Sequence, residues 1–293
     1  MINQFLNYLR YERNASPQTV LTYEEGLREF ASYLSFRDEG LSLDRVDTDL
    51  IRDWMESLMD KGNNASTINK KLSALRSFYR FALKRKLVDA DPAHCLTGPK
   101  KSKPLPQFLR ESEMDKLLDV IEWGDNYKDV LARTILLLFY EAGLRRSELT
   151  GLDDADVDLE ARQLKVTGKR NKQRIIPFGE ELSQVLNHYI AIRDEQVERK
   201  DAGALFLSDK GERMTGEQVY AIVHKYLSAV TSLKKRSPHV LRHTFATAML
   251  NNGAGLESIK NLLGHESVST TEIYAHTTFE QLKRVYKEAH PRA

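Results

Sequence analysis

Cysteine is almost absent from this chain. Cys95 stands alone in 293 residues, which excludes an intrachain disulfide framework and a cysteine-rich metal site and fits a reducing compartment. Long apolar runs are missing too. The longest, Ile135 to Tyr140, is far short of the ~18 residues a membrane span needs, and Asn3, Gln4, Asn7, Arg10 and Arg13 break up any apolar leader. A soluble, cytoplasmic protein without membrane contact is expected. No glycine-rich Walker loop occurs, nor any carboxylate cluster resembling a two-metal nuclease site, so no cofactor and no metal are expected. The chain also lacks a strong net charge, at +2, but that total hides a local excess. Between Lys61 and Lys103 eleven lysines and arginines are opposed only by Asp89 and Asp91, a distribution that suits a polyanionic partner.

What is present reads as two domains, since one domain takes ~100–200 residues. Residues 1–96 are helical in pattern. Ser16-Pro17 opens a helix with Val20, Tyr23, Leu27, Phe30 and Leu34 on one face; Asp47 or Thr48 caps a second with Ile51, Trp54, Met55 and Leu58 inward. Ser66 starts a third, whose core stripe is Ile68, Leu72, Leu75, Tyr79 and Ala82 and whose opposite face carries Asn69, Ser73, Arg76 and Arg80 with Lys70 beside them. Residues 97–107 form a basic, proline-bearing linker. Residues 108–293 begin with a helix from Ser112 and an apolar helix that Gly143 should end. Alternating segments at Asp156–Leu159, Gln163–Thr167 and Gln173–Phe178 then suggest a small antiparallel sheet. Helices over Leu182–Ile192 and Gly216–Val230 flank a short strand at Ala204–Leu207. The fold class is therefore mainly α, with one small antiparallel sheet in the second domain.

The stretch from Ser237 to Tyr274 organises the rest. Ser237 followed by Pro238 signals a helix start, which places His239 and Arg242 three apart on one face of the opening turns. The next helix, Leu256 to Leu263, should stop at Gly264 and leave His265 just beyond its end. Ser269 and Glu272 have the spacing of a capping box that would start a short helix carrying Tyr274. A lone histidine is usually structural and a lone tyrosine usually core or surface. The ordered set at these spacings points elsewhere.

His-x-x-Arg, Leu-Gly-His and a late Tyr together resemble the signature of the tyrosine recombinases, the lambda-integrase family, and the ending from Tyr274 to Ala293 looks most like its Xer branch. The resemblance implies a helical core-binding domain over 1–96 and an α+β catalytic domain over 108–293. Gly-Leu-Arg-x-Ser-Glu-Leu is similar to the family's first box, mapping its arginine to Arg145 and its acid to Glu148, which would buttress the arginine or histidine shell. Arg146 stands where an aliphatic residue is common and reads as a surface variant of little consequence. The family's turn lysine matches Lys169, with Lys172 the competing candidate and otherwise a DNA contact. Asn69, Lys70, Ser73, Arg76 and Arg80 would face phosphates and base edges from a helix in a major groove, and Lys234, Lys235 and Arg236 would meet phosphates.

The chemistry implied is phosphodiester transfer without a cofactor. Planar, permanently charged Arg145 and Arg242 suit the non-bridging oxygens, with His239 and His265 as further donors. Tyr274 is the nucleophile; its phenol, with an ordinary pKa of about 10, must lose a proton to His265 or His239. Lys169 would protonate the leaving 5′ oxygen. Expected from this is a site-specific recombinase working through a 3′-phosphotyrosyl intermediate and a Holliday junction, resolving chromosome or plasmid dimers at cell division. Its partners would be double-stranded DNA, sister or paralogous protomers in a tetramer, and an accessory activator. An integrase or invertase of a mobile element shares the motifs. A type IB topoisomerase or a catalytically silent DNA-binding module fits less well. An apolar stripe of Phe279, Leu282, Val285 and Tyr286 on a terminal helix would dock in a neighbouring protomer, the alternative being its own domain.

Overall fold

Side-chain caps set the helix starts of the first half. Asp47 accepts the backbone N–H of Leu50 at 2.8 Å, and Ser16 that of Thr19 at 3.3 Å, so α2 (Pro17–Arg37) and α3 (Thr48–Asp60) begin where these residues can satisfy a first-turn donor. The third start differs from expectation. Asn64, not Ser66, caps α4 (Ala65–Lys84), accepting from Thr67 N at 2.9 Å, and Ser66 lies inside the first turn. A short α1 (Ile2–Asn7), continued by a π turn over Tyr8–Glu12, adds Phe5, Leu6 and Leu9 to the core that α2, α3 and α4 share. Trp54 and Phe30 meet in that core with ring centres 4.8 Å apart, and the buried Tyr79 phenol donates to Leu43 O at 3.0 Å.

The computed structural model describes residues 1–101, 106–168, 171–264 and 279–292, and the chain forms two compact units, Met1–Pro104 and Leu105–Ala293. The second is built on α6 (Tyr127–Ala142), which follows a short α5 (Glu111–Asp115) with its π turn over Lys116–Val120. Val130, Leu131 and every residue from Thr134 to Ala142 are buried, as a helix surrounded by neighbours requires. Gly143 ends it at φ +57°, and a Cβ there would come within 2.5 Å of the Phe245 ring. After α7 (Arg146–Thr150) come β1 (Val157–Asp158), β2 (Gln163–Thr167) and β3 (Gln173–Pro177), antiparallel in sequence order with Leu164 opposite Ile176 and Val166 opposite Arg174. Leu164, Val166 and Ile176 face the core, so the register turns Arg174 to the same side.

Among the described residues this unit also holds α8 (Glu180–Gln196), α9 (Gly216–Val230), α10 (Pro238–Asn251) and α11 (Leu256–Leu263), with α12 (Phe279–Ala289) near the chain end. The strand expected at Ala204–Leu207 forms only isolated bridges, Asp153 with Ala204 and Leu207 with Arg213. Side chains take the place of a partner strand there. Tyr127 Oη donates to Leu207 O at 2.7 Å, Tyr189 Oη to Leu205 O at 3.0 Å, and Arg193 also reaches Leu205 O.

The terminal helix lies on its own unit, the alternative seat considered above. Tyr286 is buried and donates to Glu141 Oε2 at 3.1 Å, His290 stacks on Tyr286 with ring centres 5.0 Å apart, and Arg292 pairs with Glu181 and Asp119. Burial pushes the Glu141 carboxyl up to about 8 and the His290 imidazole down to about 4. The signs are opposite. Glu141 contributes stability that is lost as pH rises towards 8, whereas His290 contributes stability that is lost as pH falls towards 4, so of the two only Glu141 acts above the ordinary histidine range. Native protein should therefore lose about 2 kcal/mol between pH 6.5 and 8, and Glu141→Gln should remove most of that loss, as read by urea unfolding at several pH values.

Candidate active site

Gly143 turns the chain out of α6 so that Arg145 becomes the N-cap of α7. Glu148, three residues on, reaches back to accept Arg145 N at 2.8 Å, one half of a capping box. This fold-back buries the acid. Its Oε1 accepts Arg145 Nη1 at 2.5 Å and Arg174 Nη1 at 3.0 Å, its Oε2 accepts Arg174 Nη2 at 2.9 Å, and Arg242 Nη1 stands 3.7 Å away. Burial alone would raise the carboxyl. The hydrogen bonds and charge of Arg174, with the hydrogen bonds of Arg145, outweigh it and hold Glu148 below the ordinary carboxylate range.

The same three arginines meet one helix end. Arg174 Nε donates to Leu262 O at 2.7 Å, Arg242 Nη2 to Leu263 O at 2.7 Å, and Arg145 Nη2 to Gly264 O at 2.9 Å. The last carbonyls of a helix have no partner within it and carry its negative pole, so guanidinium groups satisfy both needs. Gly264 ends α11 at φ +64°, and a Cβ on it would stand 3.1 Å from Arg174 Nη1. Arg242 also donates to Gly143 O at 2.5 Å, which joins the end of α6 to the end of α11. Its pKa is drawn down to about 10 by burial first and by Arg145 second, so it remains charged at neutral pH.

On α10, Ser237 occupies the N-cap position as expected, but its side chain makes no capping hydrogen bond. His239 and Arg242 follow in the opening turns. Burial, then the charges of Arg242, His243, Arg146 and Arg145, hold His239 below the ordinary histidine range, so at pH 7 it is neutral and able to accept a proton. Arg146 is thus more than a surface variant. Its charge bears on His239, and its Nη1 donates to Gly216 O at 3.2 Å, tying α7 to the first turn of α9.

Arg145, Glu148 and Arg242 are brought together; Lys169, His265 and Tyr274 lie outside the described residues. The described flanks of the first two approach the node. Gly168, just before Lys169, donates to Lys172 O at 2.7 Å, and a Cβ on it would lie 3.2 Å from Glu148 Oε1. Gly264, just before His265, receives Arg145. Among the expected DNA contacts of the first unit, Lys70, Ser73 and Arg80 are exposed, but Ser73 Oγ donates to Asn69 O at 2.8 Å. Asn69 Nδ2 donates to Ala65 O at 2.7 Å and Pro99 O at 2.8 Å, and Arg76 donates to Leu96 O. In the second unit Lys234 and Lys235 are exposed, whereas Arg236 is tied to Leu233 O and Ser228 Oγ.

The residue that sequence reasoning missed is Arg174. An arginine at an inward position of an alternating strand was the available signal, because a charge placed there needs a buried partner.

A buried acid under a cluster of guanidinium groups, beside a neutral histidine at a helix start, is a site for a phosphate or another oxyanion. The family agrees with that chemistry. The family model described as "Phage integrase family" matches residues 107–281, and the one described as "Phage integrase, N-terminal SAM-like domain" matches residues 2–86. The chain belongs to the phage integrase family, whose members include the tyrosine recombinases. Its relatives include the tyrosine recombinase XerC of Pelotomaculum thermopropionicum, 38% identical with 100% of this chain and 98% of the relative covered. They also include the tyrosine recombinase XerD of Staphylococcus epidermidis, 34% identical with 100% and 99% covered. Among solved structures, XerH site-specific recombinase bound to palindromic difH substrate, in a post-cleavage complex, shares the fold at TM-score 0.73 and 24% identity, over 97% of this chain and 83% of that one. The Tn1549 transposon integrase in complex with transposon right end DNA does so at TM-score 0.71 and 23% identity, with 98% of each chain covered.

Removing the acid exposes what it does for the fold. Glu148→Ala leaves three guanidiniums facing one another and should cost about 3–5 kcal/mol in a urea melt, whereas Asp49→Ala, which breaks only the exposed pair with Arg52, should cost under about 1 kcal/mol.

Proposed function

We propose that the protein is a site-specific DNA recombinase that cuts and rejoins strands by phosphodiester transfer to Tyr274. The observation that carries this reading is the convergence of Arg145 and Arg242, both beside Glu148, on the end of α11, one residue before His265, in a chain whose full length aligns with XerC and XerD recombinases. The Tyr274 phenol passes its proton to His239 or His265, and its oxygen attacks the scissile phosphorus. Arg145 and Arg242 hold the non-bridging oxygens as charge builds on them. The bond from phosphorus to the 5′ oxygen then breaks, and that oxygen takes a proton from Lys169. The 3′-phosphotyrosyl ester conserves the energy of the broken bond, so a 5′ hydroxyl from the partner duplex attacks it and releases the tyrosine without ATP. Two such exchanges, one before and one after a Holliday junction, complete recombination.

The first unit and the basic residues of the second hold double-stranded DNA, with Lys70, Arg80, Lys234 and Lys235 the exposed cations for its phosphates. Lys172 borders the catalytic turn. Assembly is a homo- or hetero-tetramer joined through α12, which exchanges its seat on Glu141 for the equivalent seat on a neighbour; an accessory activator would time the second exchange. Resolution of chromosome or plasmid dimers in the cytoplasm at cell division is the role that the XerC and XerD relatives favour over that of a mobile-element integrase.

A nicked suicide duplex carrying a candidate recombination site tests the reading. Native protein should give a covalent adduct at the 3′ side of the break on a denaturing gel, and Tyr274→Phe none. An adduct that survives in Tyr274→Phe would rule out this tyrosine as the nucleophile. No adduct with native protein, at sites where binding is demonstrated, would rule out strand transfer.

A further inference from the structure

We propose that Arg174 is a positioning residue for strand transfer, a clamp on β3 that fixes the acid of α7, the root of the β2–β3 turn and the end of α11 in one geometry. The inference rests on the recombinase reading above and extends it to a residue outside the proposed catalytic set. Each nitrogen of the Arg174 guanidinium is committed to an acceptor of the protein: Nε to Leu262 O, Nη1 to Glu148 Oε1 and Nη2 to Glu148 Oε2. Its side chain is 13% exposed, against 32% for Arg145. Three of the five N–H donors of Arg174 are thus spent within the protein, two of them on the acid itself, so Arg174 acts through the groups it holds.

Those groups lead to the two catalytic arginines and to the chain on which Lys169 and His265 stand. Glu148 in turn holds Arg145 by both its backbone N–H and its Nη1. Leu262 is followed by Leu263 and Gly264, whose carbonyls receive Arg242 and Arg145, and then by His265. On its own strand Arg174 pairs with Val166, one step inward from the Thr167–Gln173 pair at the root of the turn that carries Lys169. A planar fork can hold a carboxylate by two nitrogens and a carbonyl by the third. A lysine cannot.

The groups facing Glu148 among the described residues are Arg145 from its own helix end, Arg174 from β3 and Arg242 from α10. Without Arg174 the burial of Glu148 is opposed by fewer contacts, so its carboxyl takes up a proton at higher pH. That gives a signature which loss of packing alone would not produce.

The test uses full-length protein and the nicked suicide duplex under single turnover, with binding measured on the same DNA. Arg174→Gln should cut about 100-fold more slowly while its Kd stays within about twofold of native, because the reacting groups are misplaced but the DNA contacts remain. The acid limb of its pH–rate profile should move to higher pH. Arg174→Lys keeps the charge but not the paired hydrogen bonds, so it should return part of that limb towards native while recovering little of the rate. Retained binding shows that a variant is folded. Native rates and a native acid limb in both variants would overturn the proposal, and so would loss of DNA binding in both, which would make Arg174 a residue of stability only. Absence of an adduct with native protein would instead remove the recombinase reading, and this inference with it.

Discussion

One buried carboxylate organises the second unit of this protein. Glu148 lies among three guanidiniums that repel one another, and all three also bond to the last carbonyls of α11. Neither set of contacts is stable alone. Without the acid the arginines carry uncompensated positive charge in a half-buried site; without the arginines the acid would be driven to its neutral form by burial. Held together, they leave a cationic surface whose groups are fixed in advance, which is the condition for stabilising charge that develops on a phosphate.

The rest of the unit can be understood as what brings four chain segments to that point. α6 supplies the rigid post, and Gly143, in the left-handed conformation at its end, turns the chain so that Arg145 and Glu148 fall on either side of a single helical turn. The register of the small sheet decides whether Arg174 faces the acid or solvent, since a slip of one residue would reverse it. At the start of α10, His239 stays at the surface while Arg242, which the spacing places on the same face, is buried against the ends of α6 and α11. On the side of α6 reached by Glu141, the unit is closed by α12 and the residue after it, where Tyr286 and His290 take up polar groups that would otherwise be stranded.

Much of this is legible in the sequence, and the reasons can be given residue by residue. Gly143 and Gly264 mark helix ends because only glycine enters the left-handed region at little cost, and both ends fall where the spacing places them. The alternation from Gln163 to Phe178 locates the β2–β3 hairpin, because one face is buried and the other is wet. Local pattern fails where a distant side chain decides the outcome. α1 is disguised by Asn3, Gln4 and Asn7, and only the core it meets makes Phe5, Leu6 and Leu9 a buried face. The stretch from Ala204 to Leu207 has the composition of a strand, but the phenols of Tyr127 and Tyr189 satisfy its backbone. In the candidate site, motif spacing singles out Arg145, Glu148, His239 and Arg242. Arg174 escapes because its importance lies in the register that sets it opposite Val166.

The measurement that bears most directly on the shared acid is a double-mutant cycle on single-turnover cleavage, with Glu148→Gln, Arg174→Gln and the two combined. If the acid and this arginine act as one clamp, the double variant should be little slower than the worse single one, a coupling of about 1–3 kcal/mol. Losses that simply multiply would show that the two act independently and would contradict the account.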